Sequence, residues 1–213
     1  MNVAGSEACL IDANIIFYIH DIEKIKGFSD IIECVYKQVI IHEAVYKELD
    51  ASGKAFADGK INASLWEMFD ENKLSSTQKI DYKNSFRDIE SKLLEIDKKR
   101  GKSGRPGIGE INALAAASAI HAEFICSNDY SIQEVISDLR LEIYPGGDDE
   151  LEPKLLVQHR FLELCALVCD KGILRRSQVF KGYKIAMRKS GVTESNLEGL
   201  IKEFIELIPD PDK

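Results

Sequence analysis

Short strand-like runs stand out at ACLI (8–11), QVII (38–41) and EFIC (123–126), with a more ragged one at LEIY (141–144). Between them apolar positions recur at helical spacing. Segments 13–19, 22–36, 43–49, 61–69, 82–96, 110–121 and 131–137 read as helices, several of them amphipathic. Strands alternating with helices imply a parallel sheet covered on both faces. The segment YPGGDDELEP (144–153), rich in Pro, Gly and acid, reads as a boundary. Beyond it, 154–169, 177–189 and 193–208 are expected to be three helices with no strand. The pattern thus predicts an α/β domain over 1–146 and a small all-helical module over 151–213.

Composition adds bounds. A chain of 213 residues, 45% hydrophobic and 30% charged, is long enough for one ordinary domain with an appendage and can bury a core. No apolar stretch approaches the ~20 residues of a membrane span. The opening MNVAGSEACL lacks the basic start and apolar core of a signal peptide, so neither membrane insertion nor export is expected. Five cysteines are scattered; Cys9 and Cys126 fall inside strand-like runs, and Cys165 and Cys169 share a helix face without a second metal-type pair. Reduced thiols in a cytoplasmic protein are the expectation.

The net charge of −8 weighs against generic nucleic-acid binding, which rests on positive potential. Local distribution is a different matter. Lys98, Lys99, Arg100, Lys102 and Arg105 crowd one segment, and Lys171, Arg175, Arg176, Lys181, Lys184, Arg188 and Lys189 another. Either run alone reads as solvated surface.

The acids carry the chemistry. Asp12 interrupts an apolar stretch where the first strand ends; it suits an N-cap for the following helix, and equally a ligand-facing acid at a strand's carboxyl end. Glu48 follows the second strand on its helix, Glu110 opens a helix in GIGEINALAAASA, and Asp129 follows the third strand in FICSNDYSIQEV. Each has a local role open to it: an exposed helix acid for Glu48, a macrodipole partner for Glu110, a cap for Asp129. In a right-handed parallel sheet, however, Asp12, Glu110 and Asp129 converge on one edge, within reach of Glu48. Two carboxylates about 5 Å apart at an effective dielectric of about 20 repel by roughly 3 kcal/mol. A cluster of four calls for cations, and oxygen ligands without His or Cys point to Mg2+ or Mn2+.

In order, DANII, VYKEL after a short strand, GEINALAAA, and SND after FIC resemble a PIN domain, the metal-dependent nuclease family that includes VapC-like toxins. The resemblance spans residues 6–145. It implies a three-layer α/β/α fold, with Asp12, Glu48, Glu110 and Asp129 as the acidic quartet that holds Mg2+ or Mn2+. Asn14 matches the polar residue two after the first acid, and Ser127 the hydroxyl two before the last. Where a family variant carries a further acid, this chain has Asn112. The activity implied is hydrolysis of RNA phosphodiesters, with a homodimer and an antitoxin protein as partners. Apart from the resemblance, the loop Lys98 to Arg105 leads directly into Glu110, and its Gly and Pro residues place its basic side chains as the expected RNA-holding segment. The alternative is a PIN-like module that binds RNA or protein without cleaving.

Other signals are set aside. Gly101-Lys102-Ser103 follows a helix rather than a strand and lacks the preceding glycine of a phosphate loop, Ile96 standing there. Asn14 denies a haloacid-dehalogenase phosphatase its acid–base residue. The four histidines, His20, His42, His121 and His159, share no ligand spacing and read as ordinary helix residues, and Trp66 reads as core.

Overall fold

A computed structural model describes residues 7–25, 27–144 and 150–209. Its centre is β1 (Ala8–Ile11), every residue of which is buried. A strand apolar at all positions must be covered on both faces, and this one is. It pairs in parallel with β2 (Gln38–Ile41) on one side and β4 (Phe124–Cys126) on the other. Outside these lie β3 (Trp66–Met68) and β7 (Val157–His159), giving a five-stranded parallel sheet in the order β3-β2-β1-β4-β7. The chain winds outward from β1 to β3, then returns to lay β4 on the other side. The order therefore reverses between β1 and β4, and ligand crevices of open α/β sheets form at the carboxyl ends flanking such a reversal.

The helices follow from local signals. Asp12 caps α1 (Ala13–Ile22), and the short α2 (Ile31–Val35) precedes β2. After β2 come α3 (Glu43–Glu48), N-capped by His42, and α4 (Ala51–Asn62), N-capped by Asp50. A Ser75–Gln78 capping box opens the long α5 (Ser76–Lys99). It packs along α6 (Ile108–Ala119), whose alanines let the backbone lie close to β1 and β4. Then come α7 (Tyr130–Leu139), the two-stranded antiparallel β5 (Glu142–Ile143) with β6 (Lys154–Leu155), and after β7 the helices α8 (Phe161–Asp170), α9 (Arg176–Lys189) and α10 (Glu194–Leu207). Among the described residues no helix is long and apolar enough to cross a membrane.

Several expectations are corrected. Segment 22–36 is not one helix: Gly27, at φ +93°, turns the chain between α1 and α2. Segment 61–69 is the end of α4 and then β3, separated by Ser64 in the left-handed region. The strand expected at 141–144 lies outside the central sheet, paired with β6. Segment 154–169 begins with two strands instead of a helix, so 151–213 is not all-helical. Its β7 is the edge strand beside β4, in register Phe124 with Val157 and Cys126 with His159. Residues 145–149, within the expected boundary, lie outside those described.

The C-terminal helices share the core. A chain of rings runs from Tyr18 on α1 to Phe161, Tyr183 and Phe204, with centroid separations of 5.2, 5.9 and 5.2 Å. On α9, Gly182 leaves room for the buried Phe28 ring, 2.5 Å from where a Cβ would stand. Removing 151–213 uncovers the edge of β4 and these apolar faces. A 1–150 fragment is expected to be insoluble or to melt without a cooperative transition by calorimetry. A soluble, cooperatively melting fragment would restore the separate-module view.

Candidate functional site

Asp12 takes the local role of cap for α1 and also stands at the strand end where the other acids gather. Its N–H donates to the Cys126 carbonyl (2.9 Å), carrying the β1–β4 ladder one residue past the end of β1. Its Oδ1 accepts from the Ala13 N–H (2.8 Å) as the cap of α1. Its Oδ2 accepts from Asn14 Nδ2 and Ser127 Oγ, each at 2.7 Å. Asn14 and Ser127 thus meet at one oxygen of Asp12. They also tie the two strand ends together: Asn14 Oδ1 accepts the Asn128 N–H (3.0 Å), and Ser127 Oγ accepts the Asp129 N–H (3.3 Å).

The three other acids gather around this centre. Glu48, in the last turn of α3, accepts the Gly109 N–H through Oε1 (2.8 Å). A side chain at 109 would collide, since a Cβ there would lie 2.6 Å from that oxygen. Glycine is therefore required if Glu48 is to reach the start of α6. Asp129 caps α7, its Oδ1 accepting from both the N–H and the hydroxyl of Ser131 at 2.8 Å. The Ser131 hydroxyl also lies 2.9 Å from Glu110 Oε1. One hydroxyl has one proton to donate, so a proton held by Glu110 resolves the pair: Glu110 donates to Ser131, and Ser131 to Asp129.

Electrostatics agrees with that assignment. Burial raises Glu110 to about 8, with Asp129, Asp12 and Asp97 adding repulsion and Ser131 opposing. Asp12, 6% exposed, is raised to about 6 by burial, with Glu48 and Asp129 adding, against hydrogen bonds from Ser127 and Ala13. The four acids therefore sense one another across the reversal point of the sheet.

Two functional candidates escaped the sequence reading. Asp97, in the last turn of α5, lines a cleft of about 230 Å³ with Glu110, Asp129 and Ser131 and pairs with Lys102 at 3.3 Å. Gln158 on β7 donates to the carbonyls of Ser127 (2.8 Å) and Asp129 (2.7 Å), fixing the loop that carries both. Neither has a local sequence signal, because each depends on a neighbour distant in the chain or on an unrecognised strand. The basic segment divides. Lys102 and Arg105 border the acid cleft, whereas Lys99 and Arg100 line a separate depression, Lys99 paired with Glu95 and Arg100 with Glu134. Lys98 is exposed at the end of α5. Asn112 turns away, bonding Tyr82 and the Ile108 carbonyl.

The histidines are not all helix residues: His42 caps α3, His159 lies on β7 and His121 follows α6 at φ +55°. Trp66 is core, its indole N–H on Glu33. Comparison with protein-family models and with curated protein sequences finds no match.

Whether the acids suit a divalent cation is a question of donor chemistry. All are hard oxygens, and Glu48 Oε2, Glu110 Oε2 and Asp129 Oδ2 receive no hydrogen bond among the described residues. As the side chains stand, no three His, Cys, Asp or Glu of the described residues are grouped to hold a metal. By charge and hardness, though not by their present spacing, these oxygens are donors of the kind that Mg2+ or Mn2+ takes.

A pH effect follows. Glu110 at about 8 against an ordinary 4.5 means the native chain binds its proton more tightly than the unfolded chain. Stability from this group is full below its unfolded value and falls as pH rises toward its folded one. In EDTA, Glu110→Gln should match wild type in urea midpoint near pH about 5 and exceed it increasingly toward pH about 8. A difference that stays constant with pH would mean that Glu110 is not held protonated.

Proposed function

We propose that the chain is a Mg2+- or Mn2+-dependent ribonuclease. The observation that carries the proposal is the buried Asp12 carboxylate at the β1–β4 reversal point, facing Glu48 and Asp129 with Glu110 beside them. Such a cluster is electrostatically costly unless a cation or proton offsets it. Asp12 and Asp129 are assigned as direct holders of the metal, and Glu48 and Glu110 as holders directly or through water. The bound ion would supply hydroxide near neutral pH and offset charge at phosphorus.

The chain's own residues do the rest. Ser127 and Asn14 fix the orientation of Asp12 Oδ2. Gly109 fixes Glu48. Without metal, Glu110 holds a proton against Ser131 Oγ, keeping one acid neutral beside Asp129, and a bound cation would take that proton's place. Lys102 and Arg105 at the cleft draw in the phosphodiester, and the short Gly- and Pro-rich loop lets them approach. By the resemblance that suggested the reading, the partners to seek are an antitoxin protein and a second copy of the chain. A non-cleaving module is favoured by the absence of a ready-made metal group among the described residues, and the same experiment decides it.

With Mn2+, the wild type should cut single-stranded RNA, and Asp12→Asn should lose cutting while still melting cooperatively in EDTA, because its amide oxygen keeps the cap on Ala13 although the bond from Asn14 is lost. Ser127→Ala should lose roughly 10–100-fold. Intact RNA with wild type across both metals would refute the nuclease reading, and RNA bound but uncut would leave the binding module.

A second measurement divides the basic segment. Neutralising Lys102 and Arg105 should lower the salt slope of RNA binding by about 0.7 per lost phosphate contact, and neutralising Lys98 and Lys99 should lower it less. Equal slopes for the two pairs would mean that the cleft edge has no special part in holding RNA.

A further inference from the structure

Beside the acid cleft lies a second, larger cavity of about 470 Å³. Its walls come from α1, the β4–α7 junction and the C-terminal helices α8, α9 and α10. The junction is shared in alternation. Asp129 and Ser131 line the acid cleft, and Asn128 and Tyr130 line the cavity. Consecutive Cα atoms are 3.8 Å apart, so the partition between the two spaces is a single strand of backbone.

The cavity's chemistry suits a flat aromatic ring. Tyr130 is 56% exposed, and the Arg160 guanidinium lies 5.1 Å from its ring centroid. Ion pairs to Glu163 and, at 2.8 Å, Glu203 hold that guanidinium in place. Together the two planar groups form a platform with an open side. Tyr18, Asn196 and Glu203 also line the cavity, Glu203 paired with Arg160 and the Tyr18 hydroxyl accepting from Asn128. The volume falls within the range of about 300–1,000 Å³ typical of small-molecule sites. Single-stranded RNA is recognised by splaying bases onto aromatic and Arg planes and bonding their edges.

We propose that the C-terminal helices build a base-binding subsite: the cavity of Tyr130, Arg160 and Glu203 takes the nucleobase adjoining the phosphate held at the acid cleft. This rests on the ribonuclease reading and adds to it the feature that selects the cutting position. A strand crossing the Asn128–Ser131 partition places its phosphate on the Asp129 side and a neighbouring base on the Tyr130 side. The adjacent wall also explains why Asn128 is anchored twice, its amide to Tyr18 and its carbonyl oxygen to the Phe161 N–H.

Gly199 supplies a clean test. It lines the cavity on α10, and a Cβ there meets open space, so Gly199→Leu fills the cavity without a clash. Leu also favours helix over Gly, so the variant should fold. The measurement is kcat/KM on a short single-stranded RNA with Mn2+, using the full chain, with an abasic residue placed at each position in turn. In wild type, one position beside the cut should lose roughly 5- to 150-fold on becoming abasic, the range expected of one base–aromatic stack. In Gly199→Leu and Tyr130→Ala the intact RNA should lose a similar factor, and the abasic substitution should cost nothing more. Tyr130→Phe, which keeps the ring, should retain wild-type sensitivity. Wild-type cleavage with full abasic sensitivity surviving in Gly199→Leu overturns the subsite and leaves the nuclease reading intact. No cleavage by wild type overturns both.

Discussion

The structure turns on one carboxylate placed where the fold can least hydrate it. Asp12 sits at the end of a fully buried strand, and each of its oxygens is spoken for by a neighbouring donor. Those donors come from the two chain segments that leave β1 and β4, so the acid joins the strand ends as much as it opens a site. Burial of a charge costs far more than burial of an amide. The raised proton affinity of Asp12 and of Glu110 is that cost expressed as chemistry. Whatever occupies the crevice must be cationic, protic, or both.

Around this centre, small residues and caps act as spacers. Gly109 lets Glu48 approach α6, Ser131 separates Glu110 from Asp129, and Gln158 holds the loop from outside. The edge strand β7 thus positions the loop of the candidate site as well as completing the sheet. Its Gln158 reaches the same loop that carries Ser127 and Asp129, so the C-terminal segment fixes the backbone of an acid 29 residues before it.

What the sequence makes legible follows the physics of each signal. Consecutive apolar residues, all four of ACLI and the last three of QVII, announce a covered parallel strand, and both strands appear with the expected bounds. The acids after β1 and β4 are legible because charge at a buried strand end is conspicuous. By contrast, Trp66–Met68 and Val157–His159 are three-residue strands, too short for a period to emerge, and each is defined by the partner it pairs with. Asp97 looks like any exposed helix acid until the loop after α5 folds Lys102 back onto it. The Ser75–Gln78 box was a readable start for α5, six residues before the apolar pattern becomes regular at Tyr82.

The alternation at 128–131 also bears on how this loop tolerates change in length. Surface connections ordinarily accept insertions and deletions with little penalty. Here two spaces of different chemistry are served by successive side chains, so a one-residue slip would send Tyr130 into the acid cleft and Asp129 into the aromatic cavity, as a register shift does in a strand. The segment is short, partly exposed and enters regular structure only at Tyr130, where α7 begins, yet its residue count is constrained from both sides.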